Sequence, residues 1–230
     1  MKIIDQSHEI ISLPDNLLQM IEAAGRTCYK SEDRIGCTKK WGEFCEHPEV
    51  FPKNKINQNC TYIVCQYHSS QKFTKMLIDQ GHHAMIEFGD IIVRFVTNRG
   101  VTHELIRHRI GVSYAQESTR YVRYDGKMEF IRPVWWDDVS PYTQRVWHDQ
   151  MLAIEASYNI LLRSGWRPEQ AREVLPNSLK TEIVVKGNIR EWRHIFQLRT
   201  SRKAHPQMRA LMIPLLTELR EKIPVVFDDI

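Results

Sequence analysis

Cysteine disappears from this chain after Cys65, and the five that precede it, Cys28, Cys37, Cys45, Cys60 and Cys65, form no C-x-x-C pair. An odd count without paired spacing argues against a disulfide framework and against a zinc ribbon. A metal cluster drawn from Cys37, Cys45, His47, Cys60, Cys65 and His68 is conceivable, but its spacings match no common site, and reduced thiols are the plainer reading. No apolar run approaches the ~18–20 residues that a membrane span needs. The opening MKIIDQSHEI places Asp5 where a secretory leader has its apolar stretch, so a cytoplasmic protein without a membrane partner is expected. Glycine and proline number only 10 each among 230 residues, too few for a low-complexity or collagen-like chain. A G-x-G-x-x-G fingerprint is also missing, which removes the usual sequence sign of a Rossmann dinucleotide site.

What remains is an ordinary globular composition, 42% hydrophobic and 26% charged, with no internal repeat or linker. One domain spanning residues 1–230 is expected. A helix is predicted over Asp15–Ala24, closed by Gly25, and another from Ser69 or Ser70 through Phe73 and Leu77 to Gly81. The β-branched run Asp90–Thr97 reads as a buried strand, and Thr181–Lys186 as a second. Val101–Arg109 reads as a helix ending in a cationic turn. Thr143–Ser164 is the strongest helix, with Val146, Met151, Ile154, Tyr158, Leu161 and Leu162 at helical spacing. Pro168–Leu175, Ile189–Ser201 and Gln207–Lys222 complete the helices. Helices and strands mix without regular alternation, which favours an α+β fold, a mixed sheet with helices packed around it. Residues 31–60 are polar and irregular.

The net charge of +4 is unevenly placed: residues 99–132 hold seven Lys/Arg against four Asp/Glu, and residues 190–209 six against one. Arginine predominates, the side chain suited to bidentate phosphate contacts, so the two segments are expected to meet an anion. Solvated helix faces are the bland alternative. Within the first segment, His103-Glu104-Leu105-Ile106-Arg107-His108 imitates a zinc-protease helix. Its histidines stand at i and i+5, about 140° apart on a helix, so no metal site is expected. Arg107-His108-Arg109 followed by Ser113-Tyr114-Ala115-Gln116-Glu117-Ser118-Thr119-Arg120-Tyr121 is costly to bury unless something anionic pairs with it. Three consecutive residues cannot face one ligand from a regular helix, so either the helix ends here or two ligands are served.

RHR followed by S-Y-x-Q-x-S-x-R-Y resembles the signature of the flavin-dependent thymidylate synthases. Arg26-Thr27-Cys28-Tyr29, Gly81-His82-His83-Ala84-Met85-Ile86-Glu87, Ala171-Arg172-Glu173-Val174-Leu175-Pro176, Asn188-Ile189-Arg190-Glu191 and Leu198-Arg199 resemble further segments of that family, in the same order, from about residue 20 to 210. There are departures. Residues 110–117 make eight between RHR and the second motif serine where the family has seven; the extra one falls near Gly111 or Val112. Ala84 stands for Ser or Thr, Met85-Ile86 for Pro-Phe, Phe88 for His, and Lys203 for His or Gln.

The resemblance implies reductive methylation of dUMP to dTMP, with FAD as cofactor and methylenetetrahydrofolate and NADPH as co-substrates, in a homotetramer with shared active sites. It implies that Arg199 stabilises the activated pyrimidine. FAD would be held by Ala84, Arg107, His108, Arg109, Gln116, Asn188, Ile189, Arg190 and His194. The nucleotide would be held by Glu104, Leu105, Ile106, Arg107, Gln116, Glu117, Ser118, Thr119, Arg120, Arg172 and Arg199. Arg190 and His194, four residues apart, share a helix face, whereas Arg199 lies about 180° away. Glu104 replaces a neutral Gln of many relatives; a carboxylate is unfavourable beside a phosphate, so it is expected to face the sugar or Arg107. Without the motif, His194 reads as a surface histidine and Ser118 as a turn serine. A different class remains open: a nucleic-acid-binding module using the Arg-rich segments with Tyr114, Tyr121, Tyr124, Trp135 and Trp136.

Overall fold

Two long strands and one long helix organise the chain. The computed structural model describes residues 1–35, 69–126, 128–223 and 225–230; the irregular 36–60 stretch and all cysteines but Cys28 fall outside them. Six strands are present among the described residues: β1 (Lys2–Ile4), β2 (Ser7–Ser12), β3 (Asp90–Asn98), β4 (Val112–Gln116), β5 (Glu129–Ile131) and β6 (Lys180–Asn188). The helices are α1 (Leu17–Tyr29), α2 (Ser69–Asp79), α3 (Arg99–Leu105), α4 (Pro141–Arg163), α5 (Pro168–Ala171), α6 (Ile189–Arg199) and α7 (Pro206–Lys222). The expected α+β class is what the chain adopts. A four-stranded sheet runs in the order β2-β3-β6-β4, and β1 pairs parallel with β5, Lys2 opposite Glu129. No described helix is long and apolar enough to cross a membrane.

The chain divides into two compact units, each assembled from separate stretches: Met1–Ile11, Ile92–Lys186 and Leu198–Leu215 in the first, and Ser12–Ile91, Gly187–Gln197 and Leu216–Ile230 in the second. In the first unit, β3 and β6 alternate strictly. Val93, Phe95 and Thr97 are buried while Arg94 is exposed and pairs with Glu9; Thr181, Ile183 and Val185 do the same on β6. The expected fully buried strand is therefore half-buried, because only one of its faces meets a core.

Helix α4 begins at Ser140, whose Oγ accepts the Thr143 amide at 3.3 Å, with Pro141 in the first turn where its missing N–H costs nothing. Its inner stripe is Trp147, Met151, Ile154, Tyr158 and Leu161–Leu162, packed on Met128, Phe130, Ala171 and Leu179. Val146, expected on that stripe, is exposed. The expected Pro168–Leu175 helix divides into α5 and a 3-10 turn over Arg172–Val174. Gln207, buried at the start of α7, donates to the Arg132 carbonyl and accepts the Val134 amide at 2.9 Å.

The second unit packs α1 against α2. Gly25 is not the end of α1; the helix runs on to Tyr29 and closes at Lys30 in the left-handed region, φ 50°. Glu22, buried on the same helix, accepts two bonds from Arg26 and one from Ser69 at 2.8 Å, and the Arg26 guanidinium lies 4.2 Å above the Phe73 ring. Trp192 on α6 stacks on Phe196 and donates to the Ile91 carbonyl at 3.2 Å. The C-terminal residues are latched by buried Arg193, which grips both oxygens of Asp229 and holds that carboxyl below its usual range.

Glycine at position 25 is a packing requirement, since a Cβ there would overlap the edge of the Phe73 ring. Gly25→Ala should therefore destabilise the protein by up to about 2 kcal/mol, an overpacking cost of about 1–3 kcal/mol outweighing the ~1 kcal/mol gain in helix propensity. Chemical denaturation would check it: an unchanged or raised midpoint would contradict this packing.

Candidate active site

The signature segment folds back on itself within the first unit. The Asn98 side chain caps α3 by accepting the Val101 amide at 2.8 Å, while the Arg99 and Gly100 amides donate to the Asn177 carbonyl. The helix stops at Leu105, short of the cationic turn. Of the two geometries open to Arg107-His108-Arg109, the structure takes the one in which the helix has already ended. The chain reverses through Gly111, whose φ of 68° suits a residue without a side chain, and enters β4. This is where the extra residue was placed.

From β4, the Tyr114 hydroxyl reaches the carbonyls of Leu105 and His108 at 2.8 and 2.7 Å, and the Gln116 amide donates to the buried hydroxyls of Thr102 and Thr181. The strand thus closes the end of the helix it follows. Arg107 and Arg109 are exposed and have no carboxylate partner among the described residues, whereas His108 is buried. Cations left to solvent on a rigid turn are available to an anion.

Arg199 arrives beside this turn from the end of α6. Its Nε donates to His108 Nε2 at 3.0 Å, its Nη1 to the Glu104 carboxylate at 3.0 Å and its Nη2 to the Glu104 carbonyl at 2.9 Å. An arginine N–H pointing at Nε2 assigns the lone pair to that nitrogen and the ring proton to Nδ1. Of the two expected neighbours of Glu104, the sugar or Arg107, the protein partner is not Arg107 but Arg199, because the last turn of α3 meets the end of α6. Glu104 also lines a cavity of about 260 Å³ with Trp135, Trp147 and His205. Nothing in the sequence pattern pointed to that cavity.

The expected nucleotide residues divide by role. Leu105 is fully buried and offers a ligand no side chain, while Ile106 is exposed. Glu117 is an anchor: its amide and carbonyl bond Glu182 and Arg99, and its carboxylate accepts Tyr124 and Lys180. Burial, and then the bond to Glu117, push the Tyr124 phenol well above its usual range. Burial opposes the charge on Lys180, yet Glu182 and Glu117 outweigh it and raise its pKa. Ser118 Oγ accepts the Arg120 amide, the turn role read from sequence. Arg172 Nη1 lies 3.4 Å from Thr119 Oγ1, so the Leu-Pro turn and the signature loop do meet. Arg120 is exposed beside Glu169 at 4.0 Å.

In the second unit, Asn188 accepts the Glu191 amide and starts α6, and Ile189 is buried beneath it. Arg190 and His194 are both exposed on that helix, and Arg190 bonds Glu87 at 2.6 Å, joining the G-H and N-x-R segments. Ala84 is exposed just before the 3-10 turn Met85–Phe88. The sequence reading passes over Asn98, and it names Tyr114 and Tyr124 only as part of a stacking surface, not as the groups that tie down the signature turn and Glu117. An Asn three residues before a helical amide is a capping signal that could have been used.

Comparison with known proteins shows the family. Residues 9–225 match the family model described as thymidylate synthase complementing protein. The chain belongs to that family. A flavin-dependent thymidylate synthase of Mycobacterium avium is 33% identical over 91% of this chain and 78% of its own length, and that of Mycobacterium tuberculosis is 32% identical over the same shares. Both carry the name of the family that the signature resembles, and a methyltransferase enzyme is the class to which the chain is assigned. Among solved structures, the UMP/dUMP methylase PolB of Streptomyces cacaoi, bound with 5-Br dUMP, superposes with a TM-score of 0.72 at 20% identity, covering 99% of this chain and 96% of its own, a likeness of fold.

Tyr114 is the residue whose loss should loosen the signature turn without removing a charge. Tyr114→Phe is expected to cost about 1–2 kcal/mol, the scale of a buried hydrogen bond left unmade. Thermal denaturation together with limited proteolysis between Arg107 and Gly111 would check this. A variant as stable and as resistant as the parent would show that the hydroxyl does not hold the turn.

Proposed function

We propose that this family member methylates dUMP to dTMP with FAD as cofactor, methylenetetrahydrofolate as carbon donor and NADPH as reductant. The observation that carries the reading is the three-point hold on Arg199 beside a turn that presents two arginines without a carboxylate partner among the described residues. The pyrimidine C5 is a poor nucleophile unless negative charge developing on the ring is stabilised. A planar guanidinium that stays charged at any working pH, held by His108 and the Glu104 carbonyl before the substrate arrives, is placed to do this. No cysteine lies in the matched signature segment or after Cys65, and the one cysteine among the described residues, Cys28, sits 3.7 Å from Met85 in the second unit.

The exposed Arg107 and Arg109 fit the phosphates of a dinucleotide cofactor, and Arg190, His194, Asn188, Ile189 and Ala84 are assigned to the same ligand by the family pattern. Reduced flavin supplies the electrons that turn the transferred one-carbon unit into a methyl group. Arg172, Thr119 and Arg120 are assigned to the nucleotide phosphate, and the Ser118 hydroxyl to the substrate beside them. His108, tied to Arg199, orients the guanidinium. A homotetramer with shared sites is part of the proposal. Ile110 and Tyr121, 84% and 79% exposed at either end of the signature, are apolar surface that a subunit contact would cover. The cytoplasm is the proposed location.

The test separates charge from geometry. Arg199→Lys keeps a cation but loses the fork that meets His108 and the carboxylate and backbone carbonyl of Glu104. It should bind FAD and let NADPH reduce it, yet form dTMP at least ~100-fold more slowly in single turnovers from pre-reduced flavin. Arg107→Ala/Arg109→Ala should fail one step earlier, with flavin affinity lowered about tenfold or more. Near-normal turnover of Arg199→Lys, or a trapped cysteine–uracil adduct, would overturn the proposal.

A further inference from the structure

Among the described residues that hold Arg199, Glu104 supplies the only negative charge, and it does so at the guanidinium edge where the functional reading needs a bare cation. Its backbone carbonyl and His108 already fix Nη2 and Nε. The carboxylate at Nη1 is thus not needed to place the arginine; what it adds is charge neutralisation. It is also the more exposed partner, 31% against 18%, and it borders the 260 Å³ cavity beside Trp135, Trp147 and His205. The carboxylate can leave Nη1 toward open space while the arginine keeps two of its three anchors. Among the described residues no second cation pairs with Glu104.

We infer that Glu104 is a built-in counter-ion that keeps Arg199 neutralised in the empty site and gives way when an anionic nucleotide binds. This rests on the functional reading above. Arg199 then gains its full effect on the ring only once substrate is present, and nucleotide affinity is lowered by the charge that must be displaced. Glu104 is a positioning residue on this account and makes no bond to the reacting atoms.

Glu104→Gln is nearly isosteric and keeps an oxygen that can accept from Nη1, so it removes the charge and preserves the hold. In the FAD-loaded protein it should bind dUMP roughly five- to tenfold more tightly, the scale of one like charge removed at partly screened range. Its KM for dUMP should fall without a matching rise in kcat. Glu104→Ala, which also loses the acceptor, should lower kcat. Phenylglyoxal labelling of Arg199, read by peptide mass spectrometry without nucleotide, should be at least about threefold faster in Glu104→Gln, since a guanidinium freed of its carboxylate is more readily modified. Unchanged dUMP affinity in Glu104→Gln would overturn the inference, and weaker binding would make Glu104 a ligand of the nucleotide and overturn it too. If the parent protein binds no dUMP, the functional reading fails, and the labelling rate then decides alone: an unchanged rate at Arg199 refutes the counter-ion.

Discussion

The guanidinium of Arg199 is the point on which the first unit's site depends. One side chain, at the end of α6, touches the last turn of α3 through Glu104 and the cationic turn through His108. That geometry requires α3 to end at Leu105, Gly111 to turn the chain, and Tyr114 to return and tie down the carbonyls that the helix end leaves open. A helix running through Arg109, as residue spacing alone suggests, would send His108 elsewhere and leave Arg199 without its Nε partner. The strand β4 that follows the turn is what prevents this.

Charge that looks concentrated in the sequence is largely spent inside the fold. Arg193 is buried on Asp229, Arg99 serves the Glu117 carbonyl, Arg123 pairs with Asp125, and Arg132 with Asp5. Of the two basic segments, these pairings leave Arg107, Arg109, Arg202 and Lys203 as exposed cations without a carboxylate partner among the described residues. A backbone-following nucleic-acid surface needs a row of free cations beside stacked aromatics. Here Tyr124 is hydrogen-bonded to Glu117, and Trp136 packs edge-on against Trp147. Discrete cations on a rigid turn suit a small anionic ligand better.

How much of this was legible beforehand varies with the physics involved. The strongly periodic α4, the β-branched cores of β3 and β6, and the α+β class could be read because burial writes itself into spacing. Short β1, β4 and β5 could not, since three to five residues carry too little pattern and their pairing is set by distant partners such as Glu129 and Leu179. Gly25 misled because a glycine demanded by the Phe73 ring looks, in one dimension, like a glycine that stops a helix. The candidate site was legible as a motif, which located Arg107–Arg109, Arg172 and Arg199. It did not show how these side chains pair within the fold: Glu104 holds Arg199, and Glu117 holds Tyr124 and Lys180. Such pairings follow from where two helix ends meet, which local sequence does not encode.

The most direct test of the proposed chemistry follows the flavin itself. The purified protein, loaded with FAD and kept anaerobic, should show an oxidised flavin spectrum that bleaches on addition of NADPH. The spectrum should return without oxygen only when dUMP and methylenetetrahydrofolate are both added, with dTMP formed in proportion. Return of the oxidised spectrum with either compound alone, or stoichiometric reoxidation without dTMP, would contradict the account.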